Sequence, residues 1–308
     1  MDKNYGMTPA ENVPESLTKK DKKRQIAKEK RSKFFRTMFS RKIVLIGAVG
    51  LLFFVLVAIF APQLAQYDPS AMDSSAILET PNAVHWLGTD NYGRDTFARL
   101  VYGARISLIV GVVAVVLAAI VGIALGMIAG YFGGPIDFVI MRVMEAMLAI
   151  PRLMMNLALV AVIGNSVADL AVILAFSTVP SYVRMTRAMT LGVRNSDYVQ
   201  AAKMAGVSKF SILVNHVLPN TISYNIVQMV SNVGGTILQE AALSFLGVGI
   251  TIPTPSWGTM VSEGRNYLLN NPTIALVPGL CVALLVISLN LLGDGVRDAM
   301  DPRLRGES

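Results

Sequence analysis

Nineteen consecutive residues, 43–61 (IVLIGAVGLLFFVLVAIFA), carry no charge. At about 1.5 Å of rise per residue, a helix of that length reaches across most of a ~30 Å hydrocarbon core. Inside a bilayer no water satisfies backbone N–H and C=O groups, so such a run has the helix as its economical conformation. Apolar stretches recur at 106–132, 137–163 (interrupted at Pro151), 167–183 (with a break expected near Pro180), 222–250 and 273–292. The spacing predicts an all-α membrane protein with six transmembrane helices. Composition agrees: the 308 residues are 53% hydrophobic and 15% charged, with mean hydropathy +0.54, outside ordinary soluble usage. Removal of the first run as a signal peptide is disfavoured, because a long polar segment precedes it and Pro62 follows.

The formal charge of +7 is concentrated at one end, where residues 1–42 hold thirteen Lys/Arg and include Lys19-Lys20-Asp21-Lys22-Lys23-Arg24. A basic tail can serve nucleic acid or anionic lipid, but beside a first span it reads more economically as a topology signal, and no nucleic acid partner is expected. Residues 63–103 reverse the balance, setting Asp68, Asp73, Glu79, Asp90 and Asp95 against Arg94 and Arg99. Basic residues return at 184–209 and at Arg297, Arg303 and Arg305. With positive segments inside, both termini are cytoplasmic. The resulting plan is a basic tail (1–42), a first helix (43–61), an extracytoplasmic loop (62–105), a five-helix core (106–293) and a cytoplasmic C-terminal tail (294–308).

Several chemistries are disfavoured. Cys281 is the only cysteine, so no intrachain disulfide forms, and the two histidines, His85 and His216, stand too far apart in sequence to seed a zinc cluster. No Gly-rich loop ends in Lys-Ser or Lys-Thr, so no P-loop is present and no ATPase activity is expected of this chain. Other residues invite structural roles. Ala114, Ala118, Gly122, Gly126 and Gly130 fall at every fourth position, a small-residue ridge that lets a second helix come close. Arg142 and Glu145 can pair on one helix face, and Trp257 is placed to anchor at a membrane interface. Two charges inside spans are costly and should face protein or water. Arg152 is either the partner of an intramembrane acid or a cation on a translocation path. Glu240 is either a helix-packing hydrogen-bond group or a substrate contact.

Between the fourth and fifth apolar stretches lies a polar interval, residues 195–219. Ser196 is a candidate cap for a short helix with Tyr198, Ala201, Ala202 and Ala205 on one face, and Gly206 suits a left-handed turn. Ser208 is a candidate cap for a second helix carrying Phe210, Leu213, Val214 and Val217 as a buried stripe, ending at Pro219. On periodicity alone this is a helical hairpin joining two spans.

Its pattern says more. Gln200-Ala201-Ala202, Gly206 and, after nine intervening residues, His216-Val217-Leu218-Pro219 resemble the EAA loop of binding-protein-dependent ABC importer permeases. Gln200 stands where that family usually has Glu, so no salt bridge is expected there, and His216 stands where Ile is frequent. The segment His85-Trp86-Leu87-Gly88-Thr89-Asp90-Asn91-Tyr92-Gly93-Arg94-Asp95 resembles the HxLGTDxxGRD signature of the dipeptide and oligopeptide branch. Pro253-Thr254-Pro255-Ser256-Trp257-Gly258 and Gly293-Asp294-Gly295-Val296-Arg297-Asp298 with Asp301-Pro302-Arg303 resemble two further motifs of the same branch, so the likeness runs from about residue 43 to 305.

The resemblance implies a type I ABC importer permease fold working beside a homologous second permease subunit, two cytoplasmic ABC ATPase subunits and an extracytoplasmic substrate-binding protein. ATP and Mg would sit on the ATPase subunits, with no cofactor on this chain. Gln200, Ala201, Ala202, Gly206, His216, Leu218 and Pro219 would form the coupling element, with Ala201, Ala202 and Gly206 small because they enter a close-fitting groove. Arg152 and Glu240 are the candidates for the translocation path. Di- or oligopeptides are the expected substrate, with nickel or oligosaccharides as the alternative within the branch. An ion-driven secondary transporter, in which charges inside spans also occur, and a membrane scaffold without transport activity are the rival classes; the docking loop weighs against the first and the charges inside spans against the second.

Overall fold

The structure, a computed structural model, describes Met38 and residues 41–300. Most of the basic tail and the Asp301-Pro302-Arg303 ending lie outside the described residues. Eleven α-helices are described: α1 (Lys42–Ile59), α2 (Ala61–Leu64), α3 (Thr96–Phe132), α4 (Gly134–Ala149), α5 (Arg152–Ile163), α6 (Val167–Val193), α7 (Asp197–Met204), α8 (Lys209–Ile212), α9 (Leu218–Phe245), α10 (Trp257–Gly264) and α11 (Thr273–Met300). Extended pairing among the described residues is limited to one antiparallel bridge, Thr89 with Asp95. Helices α1, α3, α6 and α11 are long and apolar enough to cross a membrane, and α4 with α5 adds a fifth span if the pair, bent by 94°, is counted as one. The remaining expected span falls on α9, whose 28 residues are long enough but include Asn220, Asn225, Gln228, Asn232, Gln239 and Glu240.

The bundle is built on the contact of α3 with α6. Gly122, Gly126 and Gly130 face Tyr182, Thr186 and Thr190 one turn at a time, and a Cβ at Gly126 or Gly130 would stand 2.7 Å from the opposing Thr Cβ. The small-residue ridge is therefore the surface on which α6 lies. Val110, Ala114, Ala118, Leu170, Leu174 and Tyr182 fill the seam. Packing of this density carries α6 straight through Pro180 to Val193, ten residues beyond the expected end at 183. A second cluster joins α1, α3, α9, α10 and α11 through Phe54, Ala104, Ile237, Trp257 and Leu285.

The interruption expected at Pro151 is present: the chain breaks at Ile150 and Pro151, and α5 leaves at 94° to α4. Proline forbids a continuous hydrogen-bond ladder there, so Arg152 opens a new helix instead of lying deep along a straight one. Trp257 is 1% exposed and anchors no interface. Its ring meets Phe54 edge-on at 5.5 Å, and its Nε1 donates to the Leu100 carbonyl at 2.8 Å. The last helix does not end near residue 293 but continues to Met300, because Gly293 and Gly295 serve close approach to Ser231 and Val44 and not a turn.

The ends of the bundle are distinct. Helix α3, 37 residues and about 55 Å long, starts beside the loop of residues 85–95 and finishes beside residues 195–219. Arg41 pairs with Asp298 at 2.7 Å, and Val44, Val227, Val296 and Ala299 cluster there. Both boundaries of the described chain thus lie at the end of the bundle that holds the start of α9.

Candidate functional site

Residues 195–219 form the hairpin expected of them, with a different lining. Helix α7 ends in a turn at Gly206, where φ is +75° and a Cβ would meet nothing within 4 Å. The glycine is needed for the left-handed conformation, not for lack of room in this chain. Ser208 Oγ accepts from the Ser211 amide at 3.3 Å and caps α8. Ser196 occupies the N-cap position of α7, yet its hydroxyl instead donates to the Val193 carbonyl at 2.7 Å.

The buried face is Val199 and Ala202 on α7 with Ile212, Leu213 and Val217, seated on Met127 and Tyr131 of α3 and Val193 of α6. Tyr198, Ala201 and Ala205 face outward, as does Phe210, which is 76% exposed, and Val214 is also exposed. Periodicity put Phe210 and Val214 on the buried stripe, and Ala202 on the same face as Tyr198; α7 and α8 are two-turn and one-turn helices, too short for a few apolar positions to fix which side faces in. Gln200 is exposed, and its Nε2 lies 3.4 Å from the Arg194 carbonyl, a long contact that a glutamate could not donate.

Pro219 does not end the second helix. The chain passes from α8 through a π turn, Leu213–Val217, directly into α9, with Leu218 and Pro219 in its first turn. The proline ring crowds the carbonyl four residues back, and a widened turn relieves the crowding. His216 lies in this π turn. Its carbonyl accepts from Asn220 Nδ2 at 2.6 Å, and its own Nδ1 is buried with no hydrogen-bond partner among the described residues. Residues 195–219 are therefore joined to α9 by a continuous helical path.

At the opposite end, the motif of residues 85–95 is a folded ion network. Asp95 caps α3 by accepting from the Ala98 amide at 2.7 Å and binds His85 Nδ1 at 2.8 Å. Thr89 Oγ1 donates to the Ala76 carbonyl. Gly88 and Gly93 have φ of +74° and +73°, and a Cβ on either would collide with the backbone of Glu79 or Asp73. Arg94 Nε donates to Asp90 at 2.6 Å, and Arg94 and Arg99 each reach Glu263 of α10 at 3.0 Å. Arg94 and Arg99 are 0% and 1% exposed. Glu263 was missed by sequence reasoning, since it lies 169 residues from Arg94 and outside every motif.

The two path candidates are not brought together. Arg152 is exposed at the start of α5. Glu240 is fully buried, accepting from Ser244 Oγ at 2.9 Å and from Ser107 Oγ of α3 at 3.3 Å, so in this conformation it ties α9 to α3 and touches no solvent. Among the described residues no three His, Cys, Asp or Glu side chains gather to hold a metal.

The described residues thus place a loop network at one end, a hairpin at the other and a glycine-seamed helix pair between them. Residues 122–306 match the family model described as the inner membrane component of binding-protein-dependent transport systems, and residues 31–81 match the N-terminal TM domain of oligopeptide transport permease C. The dipeptide transport system permease protein DppC of Alkalihalophilus pseudofirmus is 40% identical over 271 residues, 88% of this chain and 89% of that protein. The di/tripeptide permease protein DppC of Pseudomonas aeruginosa is 40% identical over 278 residues, covering 88% and 92%. The glutathione permease protein GsiD of Pectobacterium atrosepticum is 36% identical over 273 residues, covering 88% and 91%. With its helices, its hairpin and its relatives in accord, the chain belongs to the inner membrane components of binding-protein-dependent transport systems, the permease subunits of ABC importers.

Proposed function

We propose that this chain is one of two unlike permease subunits of an ATP-driven importer for short peptides. It crosses the membrane six times with both termini in the cytoplasm and forms half of the translocation path. A homologous second permease subunit supplies the other half. Two ABC ATPase subunits, carrying ATP and Mg, bind on the cytoplasmic side, and a substrate-binding protein delivers peptide outside. The peptide substrate rests on the relatives, whose names specify dipeptides, di/tripeptides and glutathione.

The observation that carries the coupling role is the exposed apolar surface of residues 195–219. Met204 is 83% and Phe210 76% exposed, with Tyr198 half-exposed beside them, on a hairpin whose other face is buried in its own bundle. Unpartnered apolar side chains in that setting mark a protein contact. Gln200 and Ala201 lie on the outward side; Ala202, Gly206, His216, Leu218 and Pro219 shape the hairpin and its junction with α9. Nucleotide hydrolysis on the ATPase subunits supplies the free energy, and this chain carries the movement. When the ATPase pair closes, the hairpin is displaced, and α9 passes that displacement through the bundle. The two packings that alternate are thereby biased by nucleotide on one side and loaded binding protein on the other. Arg152, exposed at the bend of α4 and α5, is the residue proposed to meet a peptide carboxylate, while Glu240 holds α9 against α3.

The test is uptake by vesicles containing the purified four-subunit complex, with ATP enclosed on the side of residues 195–219 and labelled dipeptide with its binding protein outside. Accumulation that requires ATP, is blocked by vanadate and survives an ionophore supports the assignment. Accumulation driven by an ion gradient without ATP overturns it.

A further inference from the structure

We infer that the C-terminus of α3 is the mounting point of the coupling hairpin, with Tyr131 and Phe132 as positioning residues gripped by Lys203 and Lys209. This rests on the reading of residues 195–219 as the element that meets the ATPase.

Three cations from three different segments converge on the last turn of α3. Arg194, at the end of α6, donates through Nη1 to the Gly130 carbonyl at 3.1 Å. Lys203 of α7 places its Nζ 5.3 Å from the centre of the Tyr131 ring, and Lys209 of α8 places its own 5.7 Å from the centre of the Phe132 ring. A helix C-terminus carries partial negative charge on its unpaired carbonyls, so cations are favoured there, and an aromatic face adds its own attraction. Neighbouring residues on a helix point about 100° apart, and the two rings meet at 89° with centres 5.3 Å apart. One ring therefore serves each arm of the hairpin, and the bend at Gly206 sets the arms to reach them. Beneath the rings, Val199, Ala202, Ile212, Leu213 and Val217 are buried against Met127 and Tyr131.

The consequence is mechanical. The hairpin is fastened to α3 by side chains and joined to α9 through the π turn, so α3, with α6 seated on its glycine ridge, moves with the hairpin. Loosening the grip leaves the hairpin able to bind the ATPase but allows it to shift without carrying the bundle.

The experiment measures molecules of dipeptide imported per ATP hydrolysed by the complete complex in vesicles. Damage confined to folding lowers transport and hydrolysis together and leaves the ratio fixed, whereas lost positioning lowers the ratio. In Tyr131→Leu/Phe132→Leu, which keeps apolar bulk and removes both rings, the ratio falls about threefold or more. In Tyr131→Phe/Phe132→Tyr, which keeps both rings, it stays at the wild-type value. An unchanged ratio in the leucine variant, or an equal fall in the ring-retaining variant, overturns the inference. Wild-type complex whose hydrolysis is not stimulated by loaded binding protein would instead count against the coupling role itself, which separates the two failures.

Discussion

Glu263→Ala is expected to loosen the end of the molecule that holds residues 62–95 and to cost about 3–5 kcal/mol of stability, the loss that follows when one partner of a buried ion pair is removed. Glu263 accepts from both Arg94 and Arg99 at 3.0 Å, and both guanidinium groups are buried. Asp90, at 2.6 Å from Arg94 Nε and 3.4 Å from Arg99 Nε, is the other carboxylate in the network. Without Glu263, whose side chain is 16% exposed, two buried cations share one buried anion, and α10 loses its hold on the loop before α3. Because α10 lies on α9 through Gly258, where a Cβ would stand 2.7 Å from Ala241 Cα, the damage reaches the bundle. Thermal unfolding of the purified protein in detergent, with limited proteolysis of residues 62–95, reads the effect. A melting temperature lowered by several degrees and faster cleavage are expected. Glu263→Gln, which keeps the shape and one acceptor, is expected to lose less. An alanine variant as stable as wild type would mean that the network is not a fastening.

The other large effect is expected at the seam of α3 and α6. A Cβ at Gly126 would lie 2.7 Å from Thr186 Cβ and 2.7 Å from the Val183 carbonyl oxygen. Two of its three nearest atoms belong to the α6 backbone, which cannot rotate out of the way as a side-chain tip could. Gly126→Leu therefore forces the helices apart, an overpacking cost of about 1–3 kcal/mol or more, and exposes the neighbouring contacts of Gly122 and Gly130. Gly192→Ala is the control, because a Cβ there meets nothing within 4 Å, and alanine is the better helix former by about 1 kcal/mol. Yield of monodisperse protein on size-exclusion chromatography should collapse for Gly126→Leu and hold for Gly192→Ala. Equal behaviour of the two would remove the seam from the account.

Much of this was legible in the sequence because it depends on local period and composition. The ridge from Ala114 to Gly130 announced a close helix contact, and Gly206 announced a turn. What escaped depended on partners remote in the chain or on short elements. Trp257 has the composition of an interface anchor, and only Phe54 and Leu100 closing over it reveal a core residue. Glu263 belongs to no motif. Phe210 sits at an apolar spacing that a one-turn helix cannot enforce. Pro219 reads as a stop, yet a π turn before it lets the helix continue into α9. Pro151 and Pro180 share a residue type and differ in outcome. Pro180 is buried within α6, whereas Pro151 is exposed, and there the chain bends.

The central claim is that residues 195–219 meet a separate ATPase subunit in the cytoplasm. It is tested most directly by Met204→Cys, at a position 83% exposed, in a chain whose one native cysteine has been replaced by Cys281→Ala. In cells expressing the whole complex, a short thiol-to-amine crosslinker should join this position to the ATPase subunit. A membrane-impermeant thiol reagent should label it in inverted vesicles and leave it untouched in intact cells. Labelling from outside, or a crosslinked product that never contains the ATPase, would contradict the account.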